Sequence, residues 1–461
     1  GVTDILAFTQ SLQPAAVNGS GAIIWTASAP VTAYYPQATV ADVDGDGTPE
    51  VIADGLILDG PTGAVIQSLA TSSSIPYRLP AVGDIDLDGI QEVIVGKQVF
   101  DPTTGAVEWS SSIQGTYGHW SAILNADSDS EAEIAMIGGG KYGLYEHDGT
   151  IIVETSANAN QPGPPCVADF DGDGTAEIAW ASSNILTVYE LSGSQIWTQT
   201  IDDSSGLAAC SGYDIDGDGA YELLYADQYT FYIFDGATGS LNYSQTGHCS
   251  GTLWEYPTVA DVDNDGSAEV VIASNDYMCG ASGWSGITVF GHNGDGWMKS
   301  GSTWHTHDFA VTNINEDGSV PASPDPSWQV HNVYRARPAV DDISVDLLVE
   351  ITDVCVDGCV DSSLIKIAVQ VSNTGGLDSA ADLVVALYAL DGSTETLLET
   401  RTLAGEVETG SASVGFVFEI ARGDAGSDGF FVRVDDDGTG NGAQTECEES
   451  NNEAYWTDLP C

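Results

Sequence analysis

Short runs in which apolar and polar residues alternate, or in which β-branched residues cluster, recur along the chain and are closed by Gly, Asp, Asn or Pro. A period of two with such punctuation predicts strands. Around residue 45 the order is TVADVD, EVIADG, LILDG and, after the turn GPTG, AVIQSL. The fourth of these elements returns as AVEWS at Ala106, IIVET at Ile151, QIWTQ at Gln195 and LNYSQ at Leu241. Four short strands per unit, repeated, predict a β-propeller whose blades bury their faces against their neighbours.

AIIWT at Ala22 matches a fourth strand with no three before it. It is expected to complete a last blade whose own strands lie around residues 309–333, closing a ring of seven. Residues 1–20 have no repeat counterpart; DILAFTQ within them reads as a strand without an evident partner, an extension that could be donated as an arm. After YRARPAVDD around Arg337 the pattern changes to SVDLLVEI, IKIAVQVSN, ADLVVALYAL, ETLLETRTL, ASVGFVFEI and GFFVRVDD. Six or seven strands in about 120 residues predict an immunoglobulin-like sandwich. The expected fold is all-β, a seven-bladed β-propeller over residues 21–340 followed by an immunoglobulin-like β-sandwich over 341–461.

A nine-residue acidic loop punctuates the repeats. Its copies are DVDGDGTPE from Asp42, DIDLDGIQE from Asp84, NADSDSEAE from Asn125, DFDGDGTAE from Asp169, DIDGDGAYE from Asp214, DVDNDGSAE from Asp261 and NINEDGSVP from Asn313, with starts 42, 41, 44, 45, 47 and 52 residues apart. That spacing suits one four-stranded unit and is too long for a hexapeptide coil. Oxygen donors at positions one, three, five and nine, with Gly at six for a sharp turn, suit a hard cation wanting six or more oxygens, and calcium is the natural occupant. An EF-hand opens alike but needs its Glu at position twelve and helices on both sides. The plainer reading, tight Asx-rich turns without metal, leaves a carboxylate at position nine in six of seven copies unexplained. It also gathers like charges that repel unless a cation sits among them.

Composition narrows the setting. With 69 acids against 10 bases the formal charge is −59, of which seven calcium ions would offset only about 14. The remainder implies salt- or divalent-rich surroundings and argues against nucleic acid or an anionic membrane as partner. No apolar stretch approaches the roughly 18 residues of a membrane helix. Eight cysteines among such loops point to an extracellular, secreted or surface-attached protein. The sequons at Asn18 and Asn242 fit surface glycosylation.

With these loops in place, the first 340 residues resemble the FG-GAP and VCBS repeat family, the seven-bladed propellers also seen in integrin α-subunit heads. The resemblance implies calcium held between the first and second strands of each blade, about six or seven ions in all. By that likeness the ligands are Asp42, Asp44, Asp46 and Glu50 with the carbonyl of Thr48. The later copies offer Asp84, Asp86, Asp88, Ile90 and Glu92; Asn125, Asp127, Asp129, Glu131 and Glu133; Asp169, Asp171, Asp173, Thr175 and Glu177. They continue with Asp214, Asp216, Asp218, Ala220 and Glu222; Asp261, Asp263, Asp265, Ser267 and Glu269; and Asn313, Asn315 and Asp317. The third copy has Asn125 first and Ser130 in place of Gly, and the seventh has Pro321 ninth, so both are expected to bind more weakly. VSNTGG at Val371 and ECEESNNEA at Glu446 give the C-terminal residues a likeness to CARDB-type adhesion modules.

Four cysteines fall in each domain. The expected pairs are Cys249 with Cys279, Cys166 with Cys210, Cys355 with Cys359 and Cys447 with Cys461, although four cysteines allow three connectivities per domain. Tyr35, Tyr77, Trp120, Trp254 and Tyr256 fall on the upper-face loops, with His305 and His307 nearby. They could stack a sugar or a partner protein, or simply plug the channel and pack the loops. His305, His307 and His331 invite a zinc reading, but strand spacing places two His on one face by chance. No nucleophile elbow, zincin motif or phosphate loop is present. A calcium-dependent polysaccharide lyase would need a base and a cation beside the substrate carboxylate, and Arg78 alone stands among the upper aromatics.

The expectation is therefore not an enzyme but a secreted calcium-binding adhesion or cell-surface structural protein, its propeller a rigid platform for a protein or glycan partner. The alternatives are a filament subunit that binds copies of itself by strand exchange, and a glycan-binding lectin.

Overall fold

The computed structural model describes residues 4–339 except 73–75, 116, 264–266, 276, 278, 280–282, 294–296 and 316–317. Beyond these it describes 347–358, 360, 363–373, 379, 383–392, 394–403, 405, 407, 415–436, 438 and 452–457. The chain divides into two compact units, Gly1–Val340 and Asp341–Cys461.

The first unit is all-β and propeller-like, built of small antiparallel sheets each made from consecutive strands. Sheet one pairs Ala38–Ala41, Glu50–Ala53, Leu56–Asp59 and Val65–Ser68 in order. Sheets two to five repeat this arrangement and begin with Pro80–Gly83, His119–Leu124, Cys166–Ala168 and Cys210–Tyr213. Sheet six comprises Thr258–Ala260, Glu269–Ser274 and Gly286–Phe290. In each of these six sheets the second strand begins on the ninth loop residue, so the acidic loop always joins the first and second strands. The second strands are buried almost throughout, as in EIAMIG of sheet three and EIAWAS of sheet four. Buried on both faces, they read as continuous apolar runs rather than alternating ones. The outermost strands are far more exposed, as Ile151 and Leu241 show.

Two expectations fail here. Residues 1–20 are not an unpartnered extension, because Ile5–Phe8 pairs with Pro14–Val17, which pairs with Ile23–Thr26 in a three-stranded sheet. AIIWT therefore joins a sheet of N-terminal strands and does not complete one built from 309–333. Trp25 of that sheet donates from Nε1 to the carbonyl of Gly60 in sheet one at 2.7 Å. Trp109 to His147 and Trp197 to Gly236 repeat this link from an outermost strand to the next sheet's turn.

The stretch 309–333 holds a 3-10 turn, Val311–Asn313, and a single helical turn, Ser327–Val330, instead of blade strands. Pro321, Pro324 and Pro326 explain the failure, since proline cannot donate to a ladder. This part of the chain lies instead against the innermost strands. His307 Nε2 meets the carbonyl of Pro80, the N–H of Val82 donates to Asp308, Asn332 and Asn125 exchange two bonds of 2.7 Å, and Val167 and Tyr334 exchange backbone bonds. Ala336–Arg337 then pairs in parallel with Cys210–Tyr213.

The second unit is a two-sheet β-sandwich. One sheet holds Leu347–Val356, Leu364–Asn373 and Phe416–Ala421; the other holds Thr394–Thr402, Val384–Asp391, Phe430–Val434 and Glu453–Trp456. Val349, Ile367, Val369 and Phe418 from the first pack with Val385, Leu387, Phe430 and Val432 from the second.

Candidate metal centres

The first five acidic loops are turns held by their own carboxylates. In the first, Asp42 accepts from Asp46 N at 3.0 Å and Gly47 N at 2.6 Å, Asp44 from Asp46 N at 3.2 Å, and Asp46 from Thr48 N at 2.7 Å. Asp84, Asp86 and Asp88 repeat this toward Gly89, Asp88 and Ile90. Asp169, Asp171 and Asp173 repeat it toward Gly174, Asp173 and Thr175, and Asp214 and Asp218 toward Gly219 and Ala220. The sixth loop residue has φ of +86, +94, +91 and +92 at Gly47, Gly89, Gly174 and Gly219, a region open to glycine and costly for a β-carbon. The third loop carries Ser130 at that position, with no positive φ.

The ninth residue closes the loop. Oε2 of the Glu accepts the N–H of position two in all six: Val43 to Glu50 at 3.1 Å, Ile85 to Glu92 at 3.0 Å, Ala126 to Glu133, Phe170 to Glu177 at 2.7 Å, Ile215 to Glu222 at 2.9 Å and Val262 to Glu269 at 3.0 Å. That bond orients the carboxylate, and in Glu50, Glu92, Glu133 and Glu177 an oxygen stands among those of the loop aspartates. Oε1 of Glu133, Oε1 of Glu177 and Oδ1 of Asp84 are buried with no hydrogen-bond partner. A buried carboxylate oxygen without a partner is costly unless a cation takes it.

Donor atoms within 4.8 Å of one another come from Asp42, Asp44 and Glu50; from Asp84, Asp86 and Glu92; from Asp127, Asp129, Glu133 and Glu146; from Asp169, Asp171, Asp173 and Glu177; and from Asp214, Asp216 and Asp218. Oxygens about 2.4 Å from one calcium ion stand at such separations, so the donor sets fit the ion. Asp46, Asp88 and Glu222 stand outside these groupings. In the sixth loop Ser267 donates to Trp297 O at 3.2 Å, and Asp265 lies outside the described residues. Glu131 turns to Ser130, whose hydroxyl donates to it at 2.9 Å. In the seventh copy Asn313 bonds Ala310 N and Asp308 O and Asn315 bonds Ser319, while Asp317 lies outside the described residues. Glu146, from the turn after the third strand of sheet three, is the donor that the motif did not contain.

Crowding shows in the acidities. Burial, reinforced by the neighbouring Asp44, Asp42 and Asp46, pushes Glu50 up to about 7. Burial likewise takes Glu92 and Glu177 to about 8 and Glu133 and Glu222 to about 7.

Among the aromatic candidates the two tryptophans turn inward, whereas Tyr35 is 57% exposed. Trp254 and Trp120 are each 2% exposed and meet at 5.0 Å between ring centroids, with Tyr77 at 5.3 Å and Tyr35 at 6.3 Å from Trp254. Trp254 Nε1 donates to Tyr35 O at 2.7 Å, and Tyr256 lies 6.0 Å from Trp304. Trp120 and Trp254 thus pack the loops together, while Tyr77 and Tyr256 are half-buried and Tyr35 reaches the surface. His307 is buried, and His305 has both ring nitrogens buried without partners; no His-containing group is among the donor clusters named above. Cys166 is bonded to Cys210 and Cys249 to Cys279. Cys355 is exposed and unbridged among the described residues, and Cys359, Cys447 and Cys461 lie outside them.

Residues 169–225 and 214–272 match the FG-GAP-like repeat family. These stretches are FG-GAP-like repeats. Each begins on the first donor of one acidic loop, Asp169 or Asp214, and ends in the second strand of the following sheet. No curated protein sequence matches the chain. Among solved structures, the V. cholerae biofilm matrix protein Bap1 superposes with a TM-score of 0.62 at 17% identity, over 73% of this chain and 83% of Bap1. That is a likeness of fold. BamB from Moraxella catarrhalis, at 16% identity over 64% of this chain and 80% of its own, reaches a TM-score of 0.39, too low to carry an argument. Among the described residues no helix is long and apolar enough to cross a membrane.

Proposed function

We propose that this chain is an extracellular calcium-binding protein of adhesive or structural type, a seven-bladed propeller of FG-GAP-like repeats joined to a CARDB-type sandwich. Calcium stiffens the propeller into a platform for a protein or glycan partner. One observation carries the reading: the Glu of every complete loop is held by one oxygen against the loop backbone, and in Glu133 and Glu177 the other oxygen is buried unpaired among further carboxylates. The disulfides support an oxidising compartment. The fold likeness to a biofilm matrix protein suggests a comparable extracellular setting. The role is binding and structural rather than catalytic: Arg78, the cation a lyase would have used, is buried against Asp54. The N-terminal segment that could have been exchanged between copies is paired in its own sheet.

Isothermal titration with calcium, paired with thermal melting before and after chelation, tests the reading. Binding of several ions with a large fall in melting temperature on chelation supports it. An unchanged melting temperature in the fully chelated protein overturns it.

A further inference from the structure

The third loop is the one whose sequence departs furthest among the first six, yet its surroundings compensate. Loop one holds four carboxylates, Asp42, Asp44, Asp46 and Glu50, whereas Asn125 leaves the third with Asp127, Asp129 and Glu133 plus a Glu131 that faces Ser130. The turn between the third and fourth strands of a sheet opens on an acid each time: Asp59, Asp101, Glu146, Glu190 and Asp235, each donating its N–H across the turn. The three aspartates are engaged locally, Asp59 by Thr62, Asp101 by Thr103 and Thr104, and Asp235 by Thr238. Glu146 is one methylene longer and is followed by His147 and Asp148, so no threonine hydroxyl holds it back. Its carboxylate reaches the loop, where its oxygen lies within 4.8 Å of those of Asp127, Asp129 and Glu133. Independently, Glu133 is fully buried, gives Oε2 to Ala126 N, and leaves Oε1 with no partner.

We propose that Glu146 is a metal ligand supplied from outside the nine-residue loop, completing with Asp127, Asp129 and Glu133 a divalent-cation site that restores the charge Asn125 removes. The inference rests on the calcium reading above and sharpens it: the third site binds as a full member of the array, not as a weakened one. Glu190 occupies the same turn position in sheet four, but there the loop supplies four carboxylates itself, Asp169, Asp171, Asp173 and Glu177, and Glu190 stands outside their group.

The test counts calcium bound to the full chain by equilibrium dialysis at neutral pH, with circular dichroism confirming that each variant is folded. Glu146→Gln should bind one ion fewer than the parent, or show one site weakened roughly tenfold or more, while Glu190→Gln matches the parent. Asp127→Asn should lose the same ion, and the double variant D127N/E146Q no further one. An E146Q chain with the parent's count and affinities, or a double variant that loses two ions, overturns the role of Glu146 alone. A parent that binds no calcium overturns both this inference and the reading beneath it.

Discussion

Asp54 and Arg78 form a two-bonded ion pair, Nε to Oδ1 at 2.6 Å and Nη2 to Oδ2 at 3.0 Å, with both side chains almost wholly buried. Asp54 follows the second strand of sheet one and adopts φ of +54, which lets the same carboxylate accept the N–H groups of Thr32 and Ala33 at 3.0 Å each. Arg78 leads into sheet two and also donates to Ser72 O and Thr32 Oγ1. The pair therefore welds the loop before sheet one to the loop before sheet two. Removing one partner strands a buried charge, so Arg78→Met should cost about 3–5 kcal/mol. The double variant D54N/R78M should cost less than the sum of the two single changes in urea unfolding, as a double-mutant cycle of a direct pair requires.

The loop carboxylates predict how the calcium-free protein responds to pH. Glu50, Glu92, Glu133, Glu177 and Glu222 stand at about 7 to 8 in the folded chain against an ordinary 4.5. Between those values the folded chain holds more protons than the unfolded one, so stability falls as pH rises through this window. The chelated protein should melt highest near pH 5 and lose about 2–4 °C for each kcal/mol forfeited on the way to pH 8. Calcium binds the deprotonated carboxylates and should reverse the trend, its stabilisation growing with pH. Differential scanning calorimetry across pH 5 to 8, with and without calcium, checks both slopes.

Trp254 separates packing from ligand stacking. It is buried among Trp120, Leu79 and Leu207, with its indole N–H satisfied by Tyr35. Trp254→Ala should lose about 3–5 kcal/mol, and Trp254→Phe less, by thermal melting. A W254A chain of unchanged stability would return the cluster to the role of an exposed platform.

These residues show where sequence reading succeeds and where it stops. The acidic loops and the strands beside them are legible because each is written in contiguous residue types: alternating Asp, a Gly whose positive φ only glycine adopts readily, and a Glu that begins the next strand. The stretch 309–333 misled because NINEDGSVP keeps the look of the loop, although the Pro321 that ends it and Pro324 and Pro326 just after forbid the strands that should follow. The pairing of Ile5–Phe8 with Pro14–Val17 was hidden because Pro14–Val17 is too short and too small in its side chains to display a period. Glu146 lay beyond reach since the motif ends at its ninth position. An acid 21 residues after the first donor recurs at Glu146, Glu190 and Asp235, a signal visible only when whole repeats are aligned.

The bridge between Cys166 and Cys210 ties the first strands of sheets four and five across 44 residues of sequence. Closing a loop of that length restricts the unfolded chain by about 4 kcal/mol in the chain-entropy account. Cys166→Ala with Cys210→Ala should lower the urea midpoint accordingly while leaving the calcium count unchanged, because neither sulfur approaches a loop carboxylate in the groups described. A fall in bound calcium would mean that the bridge also sets the geometry of the fourth and fifth loops.

Asp308 anchors the segment that lines the innermost strands. Its Oδ1 accepts the Tyr334 hydroxyl at 2.6 Å and its Oδ2 the N–H of Val82 at 2.9 Å, joining the two arms of that segment to sheet two. Asp308→Ala leaves two buried donors unsatisfied and should cost about 2–5 kcal/mol. Burial raises the Asp308 carboxyl from 3.8 to about 7, so the folded state favours the neutral acid and loses stability as pH climbs through that range. Asp308→Asn keeps the size and the neutral state but cannot ionise. Its deficit relative to the parent should therefore be largest near pH 5 and shrink toward pH 8, as the parent alone is penalised by ionisation. Urea unfolding of both proteins at the two pH values decides the matter: a deficit that grows with pH would mean that Asp308 is held as a carboxylate, stabilised by the guanidinium of the nearby Arg335 rather than destabilised by its burial.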